Sequence, residues 1–189
     1  MKTGKTVKVL LTAATAAGML AGCGSKTDTD TFRFASELDI QGMDSTVVDD
    51  GMSFNAVHAI TDGLTAVNEK GKTAPAIAKS WDVSDDGKTY TFHLRDAKWS
   101  NGDKVTANDF VYSWRKIIKN AGNYAYMLGS EGASVKNADA LMELGTNATD
   151  EQMATLGVTA KDDKTLVVEL ENKVPYFTDL MAFPCYFPQ

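Results

Sequence analysis

From Thr89 to Leu94 (TYTFHL) apolar and polar side chains alternate with a period of two, the pattern of a half-buried strand. Upstream, Trp81–Val83 starts a second strand, and Asp85-Asp86-Gly87 between them predicts a hairpin turn, because glycine tolerates positive φ and aspartate bonds nearby backbone. Asn101-Gly102 marks another turn. The period then changes. Phe110, Val111, Trp114, Ile117 and Ile118 share one helical face, and Thr106 with Asp109 three positions on resembles a capping box. The stretch from Ala74 to Ile118 therefore predicts hairpin, turn and amphipathic helix, all of it scaffold.

The flanks are less regular. Thr31–Ala35 alternates and predicts a first strand, and Asp39 to Gly51 is a loop carrying Asp39, Asp44, Asp49 and Asp50. Ser53 is placed to cap a helix with Phe54, Val57, Ile60 and Leu64 on one face. Leu64–Val67 followed by Asn68-Glu69-Lys70-Gly71-Lys72 predicts a short strand and turn. Asn120–Ser134 is glycine-rich and irregular, with Tyr124 and Tyr126 inside it. A short helix is expected over Asp139–Leu144. Thr149 and Gln152 form a second capping box, with Gly157 stopping that helix. Val158–Lys161 and Thr165–Leu170 predict a hairpin around Asp162-Asp163. Pro175 suits the first turn of a helix through Phe177, Leu180 and Met181, ended by Pro184.

The N-terminus has a different character. Lys2, Lys5 and Lys8 precede an apolar run, Val9 to Gly22, that is shorter than the ~20 residues a membrane-spanning helix needs. It ends in Leu20-Ala21-Gly22-Cys23, which departs from the usual A-x-A cleavage site. The string resembles the bacterial lipobox. That resemblance implies a signal peptide over residues 1–22 and lipidation at Cys23. Gly24–Thr31 is small, polar and aperiodic, so residues 23–31 read as a lipidated Cys and flexible tether.

Composition narrows the function. The chain has 189 residues, 43% hydrophobic and 23% charged, with a formal net charge of -6. No Lys/Arg cluster lies beyond the N-terminus, which argues against a nucleic-acid partner. Of the two cysteines, Cys23 and Cys185, the second sits among aromatic and proline residues and reads as a buried small hydrophobe. His58 and His93 are isolated, with no metal-ligand spacing around them, so neither a metal nor any other cofactor is expected. No nucleophile elbow, dinucleotide fingerprint or phosphate loop is present. The acidic pairs Asp85-Asp86 and Asp162-Asp163 fall in turns that favour aspartate for backbone reasons. An enzyme is not expected. Trp81, Trp99 and Trp114 are placed for packing.

The order W-x-V-S-x-D-G-K-x-Y-T-F-x-L-R from Trp81 to Arg95, then K-W-S-N-G-D-x-V-T-A-x-D-F-V-Y-S-W-R from Lys98 to Arg115, resembles the signature region of the family 5 extracellular solute-binding proteins. Phe32–Ala35, Leu38, Met43-Asp44-Ser45 and Asp62-Gly63-Leu64 resemble the family's N-terminal part. The resemblance implies an α/β, periplasmic-binding-protein-like (type II) two-lobed clamp. Residues 32–189 would supply its N-terminal part, with a mixed sheet, hairpins and helices. Family members are considerably longer, so an N-terminal fragment is expected, with a small α/β domain at roughly Leu64 to Val174.

The same resemblance implies a monomeric receptor on the extracytoplasmic face of a bacterial, Gram-positive cell membrane. It would capture oligopeptides and deliver them to the permease and ATPase subunits of an ABC importer. Alternatives within the family are nickel, haem or sugar binding, or a pheromone-peptide receptor with a signalling role. By resemblance the ligand-binding residues are Asp49, Asp50, Gly51 and Met52 in one segment, and Tyr124 and Tyr126 in another.

Overall fold

The computed structural model describes residues 35–189. The predicted signal peptide, Cys23, the tether and the Thr31–Ala35 strand lie outside the described residues, except for Ala35, which is exposed and in no strand. Along the chain the elements run α1 (Gly51–Ile60), β1 (Thr65–Val67), β2 (Thr73–Pro75), β3 (Ala78–Val83), β4 (Thr89–Leu94) and α2 (Ala107–Lys119). After a 3-10 turn at Ala125–Leu128 come α3 (Ala138–Leu144), α4 (Asp150–Met153), β5 (Val158–Asp162), β6 (Thr165–Glu169) and α5 (Phe177–Leu180). Leu38–Gln189 forms one compact unit.

Four strands make the main sheet, in the order β3-β4-β6-β5. Hairpins join β3 to β4 and β5 to β6, and β4 pairs with β6 across the intervening helices. Every pairing is antiparallel, as is that of β1 with β2, so the described strands do not form the mixed sheet expected from sequence. Hairpin connections allow antiparallel pairing directly, whereas parallel pairs need longer crossovers. The β4 alternation is realised: Tyr90, Phe92 and Leu94 point into the core. Opposite them on β6 stand Val168 against Tyr90 and Leu166 against Phe92. Gly87 has φ +70° in the β3–β4 turn, the left-handed conformation that favours glycine.

Helix α2 lies in the same core. Phe110, Val111, Trp114, Ile117 and Ile118 are all buried, as the helical period predicts. The Thr106 backbone N–H donates to Asp109 Oδ2 at 2.8 Å, the reciprocal bond of a capping box. The same oxygen accepts from Trp99 Nε1 at 3.2 Å, which fastens the Asn101-Gly102 turn to the start of α2. Trp114 is fully enclosed, and its indole N–H donates to the Tyr186 carbonyl at 3.0 Å. That bond satisfies the one polar atom of a buried tryptophan and ties α2 to the end of the chain.

Some expectations change. Asp50, not Ser53, caps α1: Asp50 Oδ1 accepts from the Ser53 N–H at 2.8 Å. Ser53 is buried one turn in, and its hydroxyl accepts from the Gln41 and Gly42 N–H groups. Ile60 is exposed, and Leu64 is buried beyond the helix end. Helix α4 stops at Met153 with Ala154 as its cap, so Gly157 is not a helix stop. A Cβ at Gly157 would sit 2.5 Å from the Glu169 carbonyl, so glycine is required by the close approach of β6. Strand β2 was not anticipated.

Candidate functional site

The two segments singled out in sequence meet in space. Asn123 Nδ2 donates to Asp49 Oδ2 at 2.5 Å, joining the loop before α1 to the irregular stretch after α2. One residue on, the Tyr124 ring stands edge-on to Phe54 of α1, with centroids 5.1 Å apart. Tyr126 stacks on Tyr124 at 6.0 Å. Phe183 closes the group, 5.4 Å from Tyr124 and 5.2 Å from Phe54. The result is an aromatic shelf built from three distant parts of the chain. Tyr124 is half-buried in it, while Tyr126 is 43% exposed at its rim.

Asp49 is exposed, and its carboxylate accepts from the Asn123 amide. Asp50 caps α1, and its hydrogen bonds from Ser53 hold its carboxyl below the ordinary carboxylate range. Its second oxygen accepts no hydrogen bond among the described residues. Gly51 opens α1, and a Cβ there would meet nothing within 4 Å. The fold itself therefore does not demand glycine at this position. The space beside it is open to another backbone. Met52 is half-buried in the first turn of α1.

A charged network underlies this loop. Asp44 Oδ2 accepts from Lys116 Nζ at 2.7 Å, and Asp44 Oδ1 accepts from Gln189 Nε2 and from the N–H and hydroxyl of Thr46. Burial works to raise the Asp44 carboxyl, but the bonds from Gln189, Lys116 and Thr46 outweigh it and hold the group well below the usual range. The Asp44 carbonyl also accepts from the Val47 and Val48 N–H groups. Asp44 thus fixes the turn leading into Asp49 and Asp50 against α2. Sequence singled out Asp44 only through its neighbourhood and Phe54 only as part of a helix face, and it gave Phe183 no role. Their roles arise from contacts between segments far apart in the chain.

The remaining chemistry-bearing residues serve the fold. His93 Nε2 lies 2.7 Å from Asp82 Oδ2 on the outer side of the sheet. The His58 nitrogens lie 3.0 Å from the Phe54 carbonyl and 3.2 Å from the Ala182 carbonyl. Among the described residues no three His, Cys, Asp or Glu side chains are grouped to hold a metal ion. Cys185 is fully buried, and burial pushes its thiol up, away from the thiolate that a nucleophile needs. Trp81 packs near Phe92, with centroids 6.1 Å apart.

Comparison with known proteins gives consistent results. The family model for bacterial extracellular solute-binding proteins, family 5 Middle, matches residues 72–189. A dipeptide-binding protein of Lactococcus lactis is 39% identical over 192 residues, covering 100% of this chain and 33% of that protein. The oligopeptide-binding protein OppA of Bacillus subtilis is 41% identical over 145 residues, covering 75% of this chain and 25% of its own length. The substrate-binding domain of an oligopeptide ABC transporter from Bacillus anthracis superposes with a TM-score of 0.75 at 40% identity. That match covers 82% of this chain and 29% of the other. The chain thus spans a quarter to a third of the length of these relatives.

Proposed function

Since the chain belongs to the bacterial extracellular solute-binding proteins, family 5, a family that binds solutes rather than transforming them, we propose that it contributes to a receptor that captures oligopeptides and delivers them to an ABC importer. The observation that supports this reading is the junction of the loop before α1 with the stretch after α2, made by the Asn123–Asp49 hydrogen bond and the Tyr124–Phe54 ring contact, with Tyr126 stacked on Tyr124. The shelf offers flat apolar faces with hydroxyls that can bond a peptide main chain. Gly51 leaves room for that main chain, and Asp49 meets its positive charge. Recognition through backbone groups tolerates varied side chains, as in strand addition to a sheet edge. In a two-lobed clamp the ligand favours closure because it touches the second lobe only in the closed state. No bond is made or broken by the receptor, and ATP hydrolysis belongs to another subunit.

In this proposal residues 1–22 are a signal peptide, Cys23 carries the lipid, residues 23–31 form the tether, and residues 32–189 belong to the solute-binding domain. The protein works at the extracytoplasmic face of the cell membrane as a monomer. Two acyl chains give firm anchoring, where a single chain binds only marginally. The test combines transport and labelling in cells. Deleting the gene should abolish uptake of a labelled oligopeptide, and a chain of the relatives' full length carrying these 189 residues should restore it. Labelled palmitate should enter the parent and not the Cys23→Ala chain. Unchanged uptake in the deletion strain would overturn the transport reading, and equal labelling would overturn the anchor.

A further inference from the structure

On the side of α2 opposite the core, Asn108, Tyr112, Arg115 and Lys119 follow one another at helical spacing. They line a pocket of about 560 Å³, bordered also by Asp150 and Met153 of α4. Its floor is apolar, because Val111 and Met153 are both buried there. The volume falls in the range of small-molecule sites, which combine an apolar lining with a few polar groups.

The polar groups are unequally committed. Lys116 is held by Asp44 at 2.7 Å and Lys119 by Asp150 at 2.8 Å. Arg115 has neither an ion pair nor a hydrogen bond among the described residues, and its Nε is shielded from solvent without a partner. Enclosing part of a guanidinium without an acceptor is costly, and the terminal nitrogens of Arg115 are left without a protein partner among the described residues. The side chains of Asn108, Tyr112 and Asn120 line the same pocket. With Lys116 and Lys119 paired to Asp44 and Asp150, Arg115 leaves one uncompensated positive charge at the pocket, which favours an anion.

We propose that this pocket binds a carboxylate carried on a small apolar body. The two terminal nitrogens of the planar Arg115 guanidinium supply parallel N–H donors that match two carboxylate oxygens. Val111 and Met153 receive the apolar part beside the Tyr112 ring. A single uncommitted cation over an apolar floor suits a monoanion better than a doubly charged phosphate. The site shares no residue with the aromatic shelf and stands independently of peptide capture there. The carboxylate can come from a free organic acid or from the C-terminus of a peptide.

The test uses the full chain and backbone amide shifts in solution. Phenylacetate should perturb residues of α2 and α4, at least about tenfold tighter than phenylacetamide. Arg115→Gln should remove that preference while leaving the ligand-free melting temperature unchanged or higher, since an unsatisfied charge is gone. Arg115→Lys, which keeps the charge without the fork, should bind at an intermediate strength and covers the case in which the glutamine variant folds poorly. Equal binding of acid and amide, or an unaltered preference in Arg115→Gln, would overturn the proposal. N-acetyl-Ala-Phe is then compared with its amide. Tighter binding than phenylacetate assigns the carboxylate to a peptide terminus, and equal or weaker binding assigns it to a free acid.

Discussion

Asp44 shows how one residue sets the geometry of the loop it begins. Its carboxyl is depressed in the folded chain, so its contribution to stability is complete above the unfolded pKa of roughly 3.9 and is lost as pH falls below it. Asp44→Asn should therefore lower the melting temperature clearly at pH 7, and the gap to the parent should shrink in melts near pH 3. A gap that stays constant with pH would assign the effect to shape instead of charge. Gly87 makes a second residue-scale case. At φ +70° a β-branched side chain is strained, and Gly87→Val should cost about 1–3 kcal/mol in denaturant unfolding. An unchanged midpoint would mean that the turn relaxes. Gly87 was legible because Asp-Asp-Gly has a local turn chemistry. Asp44 was not, because Lys116 and Gln189 reach it from remote positions in the chain.

At the scale of elements, legibility followed the length and regularity of the hydrophobic pattern. Strand β4 and helix α2 carry strong periods and stand where the sequence places them. Strand β2 has three residues and ends in Pro75, too little for a pattern to declare itself. The start of α1 was ambiguous because Asp50 and Ser53 are both good caps; the buried Ser53 is taken by two N–H groups from the preceding loop. Asp50→Ala should accordingly destabilise the chain by about 0.5–2 kcal/mol, read by thermal melts without ligand. Asp49→Ala, on an exposed side chain, should leave the melting temperature nearly unchanged. In the sheet, Phe92→Ala should cost about 3–5 kcal/mol, since Phe92 is fully enclosed between Trp81 and Phe177.

Across the whole molecule, what sequence reasoning could reach was the family and the two segments expected at a ligand. What it could not reach was their junction. Phe183 contacts both Phe54 and Tyr124, so the shelf exists only once the segment after α5 has folded back onto α1. That dependence on long-range packing is why the sequence shows the candidate site only as two separate loops. In the function proposed above, those loops form one wall of a peptide cleft. Calorimetric titration of an oligopeptide into a chain of the relatives' full length, carrying these residues, tests it most directly. Asp49→Ala and Tyr126→Ala are the informative variants, since both side chains are exposed and their removal spares the core. At least one should lose about 1–3 kcal/mol of binding free energy, with the ligand-free melting temperature unchanged. Parent-like affinity in both would contradict it.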